Sequence, residues 1–165
     1  MKILVTSDTH GEINSVCEFI ENNHLELMIH AGDFTKDAYN ISKVTGINYI
    51  TVKGNNDYSD HINPYEQIIK VEDKNILLVH GHREDVYFTN KILIQKALDY
   101  GCNIVIFGHT HTYSNEYIKD LDLYLLNPGS PSLARDNNFG FILIDTEKNF
   151  EIKRIDLDKE NLWQD

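Results

Sequence analysis

Nine short runs of β-forming residues, each stopped by a polar residue or a glycine, dominate this chain: Ile3–Thr6, Leu27–His30, Tyr49–Val52, Gln67–Val71, Ile76–Val79, Ile104–Phe107, Leu123–Leu126, Gly140–Ile144 and Phe150–Ile155. Runs this short read as strands. Between the first two, Ile13, Val16, Cys17 and Ile20 recur at the spacing of one helix face. A second helix is expected over Thr89–Tyr100, with Ile92, Leu93 and Leu98 inward and Gly101 as its stop. A weaker pattern covers 36–45. Strand and helix alternate early, which calls for parallel α/β units. The later part is strand-rich with short turns, which calls for antiparallel pairing. Mixed sheets flanked by helices satisfy both.

No repeat, low-complexity tract or linker divides the sequence, so residues 1–165 are read as one domain. Hydrophobic residues make up 41%, enough to build a core rather than a disordered chain. No apolar run approaches the roughly 18 residues that span a bilayer. Met1–Val5 turns polar at Thr6, too soon for a signal peptide, so a cytoplasmic protein is expected. Cys17 and Cys102 stand outside any zinc-ligand spacing and read as small buried hydrophobes. The net charge of −11, without a basic cluster, argues against a stable grip on nucleic acid. A small phosphorylated partner remains open if local cations neutralise it.

In α/β sheets ligands gather beyond the carboxyl ends of strands. The residues there share one chemistry. Asp8-Thr9-His10-Gly11, His30-Ala31-Gly32-Asp33, Gly54-Asn55-Asn56-Asp57, His80-Gly81-His82 and Gly108-His109-Thr110-His111 each follow a predicted strand. One Asp-x-His is expected about 0.7 times in a chain of this composition and carries little weight. Gly-His-x-His is expected roughly 0.02 times, and Gly-Asn-x-Asp roughly 0.08 times. Their joint occurrence at strand ends points to a metal cluster. Imidazole, carboxylate and amide oxygen suit first-row divalent ions, and the lack of thiolate excludes a structural zinc knot. Asp8, His10, Asp33, Asn55, His80, His109 and His111 exceed the needs of one ion that stays open to substrate. Two ions sharing one carboxylate would use them all.

This ordered set resembles the calcineurin-like metallophosphoesterase superfamily, and more closely its short bacterial and archaeal phosphodiesterases of the YfcE and MJ0936 type. The likeness extends through Asn127-Pro128-Gly129-Ser130. It implies a β-sandwich of mixed sheets with helices on its outer faces (αββα). It implies two divalent metal ions, Mn2+ first and Zn2+, Fe2+, Ni2+ or Co2+ as alternatives. Asp8, His10 and His111 would hold one ion, Asn55, His80 and His109 the other, and Asp33 would bridge them. It implies hydrolysis of a small phosphodiester by a metal-bridging hydroxide, with Asp33, Asn55, His80 and His109 at the reaction and Asn56 and His82 against the substrate. A homodimer is implied by the resemblance alone.

The superfamily usually has His after the Asn ligand, as acid for the leaving group; here Asn56 stands there. An amide cannot deliver a proton at neutral pH. The alternative reading is a non-catalytic scaffold, as in the retromer subunit that shares the fold. Asp57 is expected to fix its turn or a ligand histidine. His30 and His82 are expected to support ligands or pack at strand ends, with a phosphate contact open to His82. His24 and His61 read as surface residues. Asn127 and Ser130 are open between phosphate contact and plain turn, and Arg135 between substrate contact and solvated surface.

Overall fold

The computed structural model describes residues 1–157; positions 158–165 of the expected domain lie outside the described residues. The first sheet has the order β10-β9-β1-β2-β3. Its β1 (Lys2–Thr6), β2 (Leu27–His30) and β3 (Asn48–Thr51) run parallel, and β9 (Gly140–Asp145) and β10 (Glu151–Asp156) are added antiparallel. The second sheet has the order β4-β5-β6-β8-β7. Here β5 (Lys74–Val79), β6 (Ile104–Ile106) and β8 (Leu123–Pro128) are parallel, and β4 (Glu66–Val71) and β7 (Tyr113–Ile118) are antiparallel edges. Helices α1 (Asn14–Asn22) and α2 (Thr35–Thr45) pack on the first sheet, α3 (Lys91–Tyr100) on the second. The mixed, helix-flanked sandwich expected from the sequence is what forms.

The two-residue period of the strands builds these layers. Ile3, Val5, Ile29, Ile76, Leu78, Ile104, Ile106 and Ile142 fill the space between the sheets. Their neighbours Leu4, Met28 and Phe141 turn outward under α1 and α2. Leu77, Val79, Val105 and Leu125 turn outward under α3. Both faces of the central strands are therefore buried, which is why they read as unbroken apolar runs. Truncating one of these side chains, Leu77→Ala for example, should cost about 2–5 kcal/mol.

Two expectations need correction. Strand β7 leaves no strand pattern in the sequence, because Tyr-Ser-Asn-Glu-Tyr-Ile has no apolar alternation. It is an edge strand with Asn115, Glu116 and Tyr117 exposed, held by its pairing with β8. In α3, Leu93 and Ala97 face the sheet, whereas Ile92 and Leu98 are 37% and 47% exposed. The helix packs on its i, i+4 pair, and the bulkier flanking residues lie at the margins. Gly101 ends it in the left-handed region, as expected. Cys17 and Cys102 are buried and unpaired. Among the described residues, no helix is long and apolar enough to cross a membrane.

Candidate metal centre

Both sheets deliver their parallel strands to one edge, and the loops beyond those strands touch. Asp8 N–H donates to Gly32 O (3.0 Å), and Gly108 N–H to His80 O (2.9 Å). Gly54 and Gly108 allow the close approach: a Cβ at either would run into the Asp33 or the Ser7 and Asp8 side chains. Five of the seven expected ligands, Asp8, His10, Asp33, His109 and His111, have positive φ, between 48° and 67°. Side chains with a Cβ avoid this region, and such strain gathers at functional sites.

The strain is held by hydrogen bonds that the motif reading did not identify. Asp37 Oδ2, from α2, accepts from Thr9 Oγ1 (2.7 Å) and Gly11 N–H (2.8 Å), which closes the turn that carries His10. Tyr87 O–H donates to His109 O (2.9 Å). Ser130 Oγ donates to Asp8 O (2.7 Å), and Asn127 Nδ2 to Gly108 O (2.9 Å). Asn127 and Ser130, left open above, thus brace the loops that carry Asp8 and His109. Asp57 fixes its own turn, accepting from Gly54 N–H and Thr35 N–H at 2.8 Å each. Arg135 is exposed, its side chain over the Tyr87 ring (5.2 Å) and its N–H on His111 O (2.9 Å).

Inside this frame the imidazoles fall into two kinds. His80 Nδ1 lies 2.8 Å from Ala31 O, and His111 Nδ1 2.9 Å from Leu133 O. A carbonyl only accepts, so both Nδ1 atoms carry hydrogen and a neutral ring leaves Nε2 bare. His80 Nε2 then faces Asn55 Oδ1 (3.2 Å), Asp33 Oδ1 (3.4 Å) and Asp8 Oδ1 (3.8 Å). His111 Nε2 faces Asp8 Oδ1 and His10 Nε2, each at 3.3 Å. Asp8 Oδ1 is buried and meets no aligned hydrogen-bond donor. Bare lone pairs turned toward carboxylate oxygens repel unless a cation or a proton stands between them.

The protonation preferences follow. Burial works against charge on His80 and His111, but the adjoining carboxylates of Asp33 and Asp8 outweigh it and raise both pKa values. Burial first, then the neighbouring imidazoles, lowers His10 and brings His109 down to about 4. Burial would raise the Asp8 and Asp33 carboxyls, yet contacts with His111 and His80 hold them low. The set is anionic oxygen plus imidazole nitrogen, which fits divalent first-row ions.

The donor atoms of Asp8, His10 and His111 lie within 4.8 Å of one another, as do those of Asp8, Asp33 and His80. Asp8 is the carboxylate common to both groups. Asp33 is held by Asn56, whose N–H (2.9 Å) and side-chain amide (2.5 Å) donate to it. His109 joins neither group; its ring lies edge-on to His80 (5.1 Å) and its N–H donates to Asp8 Oδ2 (3.0 Å). His82 is half-buried, 5.4 Å from the His80 ring, with its Nδ1 buried and unpartnered. His30 is fully buried behind the loops, bonded by Gly32 N–H (3.2 Å) and close to Thr9 and Thr51 hydroxyls; burial lowers its pKa to about 4. It supports the site rather than facing it. His24 and His61 are exposed, as expected.

The sequence profile of the calcineurin-like phosphoesterase superfamily domain matches residues 1–149. The chain belongs to that superfamily. Among relatives of this calcineurin-like phosphoesterase, the probable metallophosphoesterase MG207 of Mycoplasma genitalium is 33% identical over 82% of this chain and 80% of its own. Phosphodiesterase MJ0936 of Methanocaldococcus jannaschii is 29% identical over 78% of this chain and 83% of its own. The solved structure of an archaeal phosphodiesterase superposes with a TM-score of 0.75 at 27% identity, covering 95% of this chain and all (100%) of that one. Zinc-complexed Vps29 of Entamoeba histolytica superposes equally well (TM-score 0.75, 96% of this chain and 100% of that one). At 21% identity that likeness speaks for the fold alone. A metal-dependent phosphoesterase is what the family and the ligand chemistry together support.

Proposed function

We propose that this phosphoesterase hydrolyses phosphodiesters at a centre of two divalent ions, Mn2+ foremost. Asp8, His10 and His111 would hold one ion, Asn55, His80 and His109 the other, and Asp33 would bridge. The observation that carries this reading is that two anchored imidazoles each point Nε2 at a carboxylate, His111 at Asp8 Oδ1 (3.3 Å) and His80 at Asp33 Oδ1 (3.4 Å). Bound ions would acidify an attacking water and neutralise the phosphoryl oxygens. The chain itself supplies the frame. Ala31 O and Leu133 O set the tautomers of two imidazoles, and Asn56 orients Asp33 through two hydrogen bonds. His82 stands beside the His80 and His109 rings, 5.4 and 6.1 Å away, and would contact the substrate there. No residue at position 56 protonates the leaving group, which favours diesters whose alcohol leaves as a stable anion.

A second reading, a metal-binding scaffold, draws on the same Asn56, because its amide is engaged with Asp33 rather than open to a substrate. Elemental analysis after Mn2+ loading, with hydrolysis of bis(p-nitrophenyl) phosphate, separates the readings. Two ions per chain with Mn2+-dependent turnover is the expected result. One ion at saturation would overturn the dinuclear centre. Two ions without turnover would favour the scaffold.

A further inference from the structure

Beside the ligand cluster lies a groove of about 650 Å³, between the start of α2 and the loop after Asn56. Its wall carries Phe34, Tyr39, Tyr49 and Ile62, and Asn56 lines it as well. It is continuous with the metal site through two residues. Asn56 holds Asp33, and the Phe34 ring lies 4.7 Å from the His10 ring. Asp33 and Phe34 are consecutive left-handed residues, with φ of 57° and 66°. That double turn is what lets the carboxylate and the aromatic ring serve adjoining spaces.

The groove is also built in advance. Asp60 Oδ2 accepts from Thr35 Oγ1 (2.6 Å) and Asn63 Nδ2 (2.7 Å), and its Oδ1 accepts from Ile62 and Asn63 N–H (2.9 Å each). The loop is thereby tied to α2; Ile62 on the loop is 93% exposed and Tyr39 on α2 is 53% exposed. Large apolar side chains held in water by a polar-anchored loop mark a binding surface more than a packing accident. Both groove carboxylates, Asp57 and Asp60, are engaged by internal hydrogen bonds, so Phe34, Tyr39, Tyr49 and Ile62 offer a ligand an aromatic and aliphatic wall, with Lys36, Ser59 and His61 as the polar part of the lining.

We propose that this groove receives a flat, uncharged ring carried by one ester arm of the substrate. The chain is then selective for phosphodiesters with an aryl or nucleoside group over purely alkyl diesters. This rests on the phosphodiesterase reading above and names its substrate class. A ring entering from the phosphate lies first against Phe34 and then along Tyr39 and Ile62. Stacking on such a platform tolerates any π face, so the selectivity is for a ring rather than for one base.

The test is calorimetric binding of thymidine 5′-monophosphate and of ethyl phosphate to the Mn2+-loaded protein, in wild type, Tyr39→Ala and Ile62→Ala, with bis(p-nitrophenyl) phosphate turnover measured alongside. The nucleotide should bind about tenfold tighter than ethyl phosphate in the wild type, a gain of the size stacking gives. Each variant should lose most of that ratio while its affinity for ethyl phosphate stays. Equal affinities in the wild type, or a ratio that survives both substitutions, overturns the groove assignment even if turnover is normal. Ring-selective binding without turnover upholds the groove and overturns the esterase reading on which it was built.

Discussion

The four imidazoles at the site fall into two pairs, differently held. His80 and His111 are anchored: each gives Nδ1–H to a backbone carbonyl and points Nε2 inward. His10 and His109 are packed: each lies against an aromatic ring, Phe34 at 4.7 Å and Tyr87 at 4.8 Å. The anchored rings are drawn toward the charged form by the carboxylates they face, and the packed rings are pushed toward the neutral form by burial. Each proposed ion would thus meet one ring already oriented and one whose direction rests on packing. Outer partners of this kind typically govern metal affinity as strongly as they govern geometry.

Alanine at an anchored ring should produce the largest loss. His80→Ala and His111→Ala are expected to weaken Mn2+ binding by more than ~100-fold, beyond what removal of an outer partner causes. His10→Ala and His109→Ala should fall within ~10–100-fold, because those rings still need ordering on binding. Titration against a chelating fluorophore reads all four. Equal losses across the set would break the distinction.

Proton release is the next largest effect. Above the ordinary histidine value of 6.5, metal-free His80 and His111 retain protons that a metal ion must displace, whereas His109, at about 4, has none to give. Calorimetry near pH 7 in buffers of different ionisation enthalpy should show fewer protons released for His111→Ala than for the wild type. His109→Ala should leave the count unchanged. The same shifts set the stability of the metal-free protein. The raised His80 and His111 contribute stability that is full below pH 6.5 and is lost as pH rises through their folded values. The depressed His30 and His109 act oppositely, their contribution lost as pH falls from 6.5 toward about 4. Thermal melts should therefore show a maximum between these limbs, and added metal should lift the alkaline side most. A melting profile flat across both limbs would contradict the assignment.

Asn56→His should have a smaller effect, and not the simple gain of an acid. The amide is bonded to Asp33 at 2.5 Å, so its removal leaves residue 56 only its backbone N–H to hold that carboxylate. Metal affinity should fall about tenfold, with the dependence of kcat/KM on leaving-group pKa unchanged. A flatter dependence at full metal affinity would instead place the new imidazole against the leaving oxygen. Tyr87→Phe should be mildest. It keeps the ring on His109 and removes only the hydroxyl bond to the His109 carbonyl. That is worth about 1 kcal/mol, a few-fold in metal affinity, whereas Tyr87→Ala should match the loss of an outer partner. Equal effects of the two would show that the ring contributes nothing.

Much of this was written in local pattern. The strand ends with Asp, Asn and His beside glycine were readable because a ligand cluster needs those types where strands stop. Buried strands were readable because both their faces are apolar. Strand β7 was not, because an edge strand owes its form to its neighbour β8 rather than to its own side chains. Ile92 and Leu98 misled because α3 is set on its sheet by Leu93 and Ala97.

The sequence by itself determined the succession of strands and helices, the strand ends at which chemistry collects and the residue types gathered there. These follow from hydrophobic period and from composition at strand ends, which are local properties. Only the tertiary structure decided which imidazole is anchored and which is packed. It alone drew Asn56 to Asp33 and turned Asn127 and Ser130 into braces for the loops. It alone joined Phe34, Tyr39 and Ile62 into one groove. Those outcomes depend on carbonyls and rings brought together from distant parts of the chain, and no spacing along a single segment encodes such a meeting.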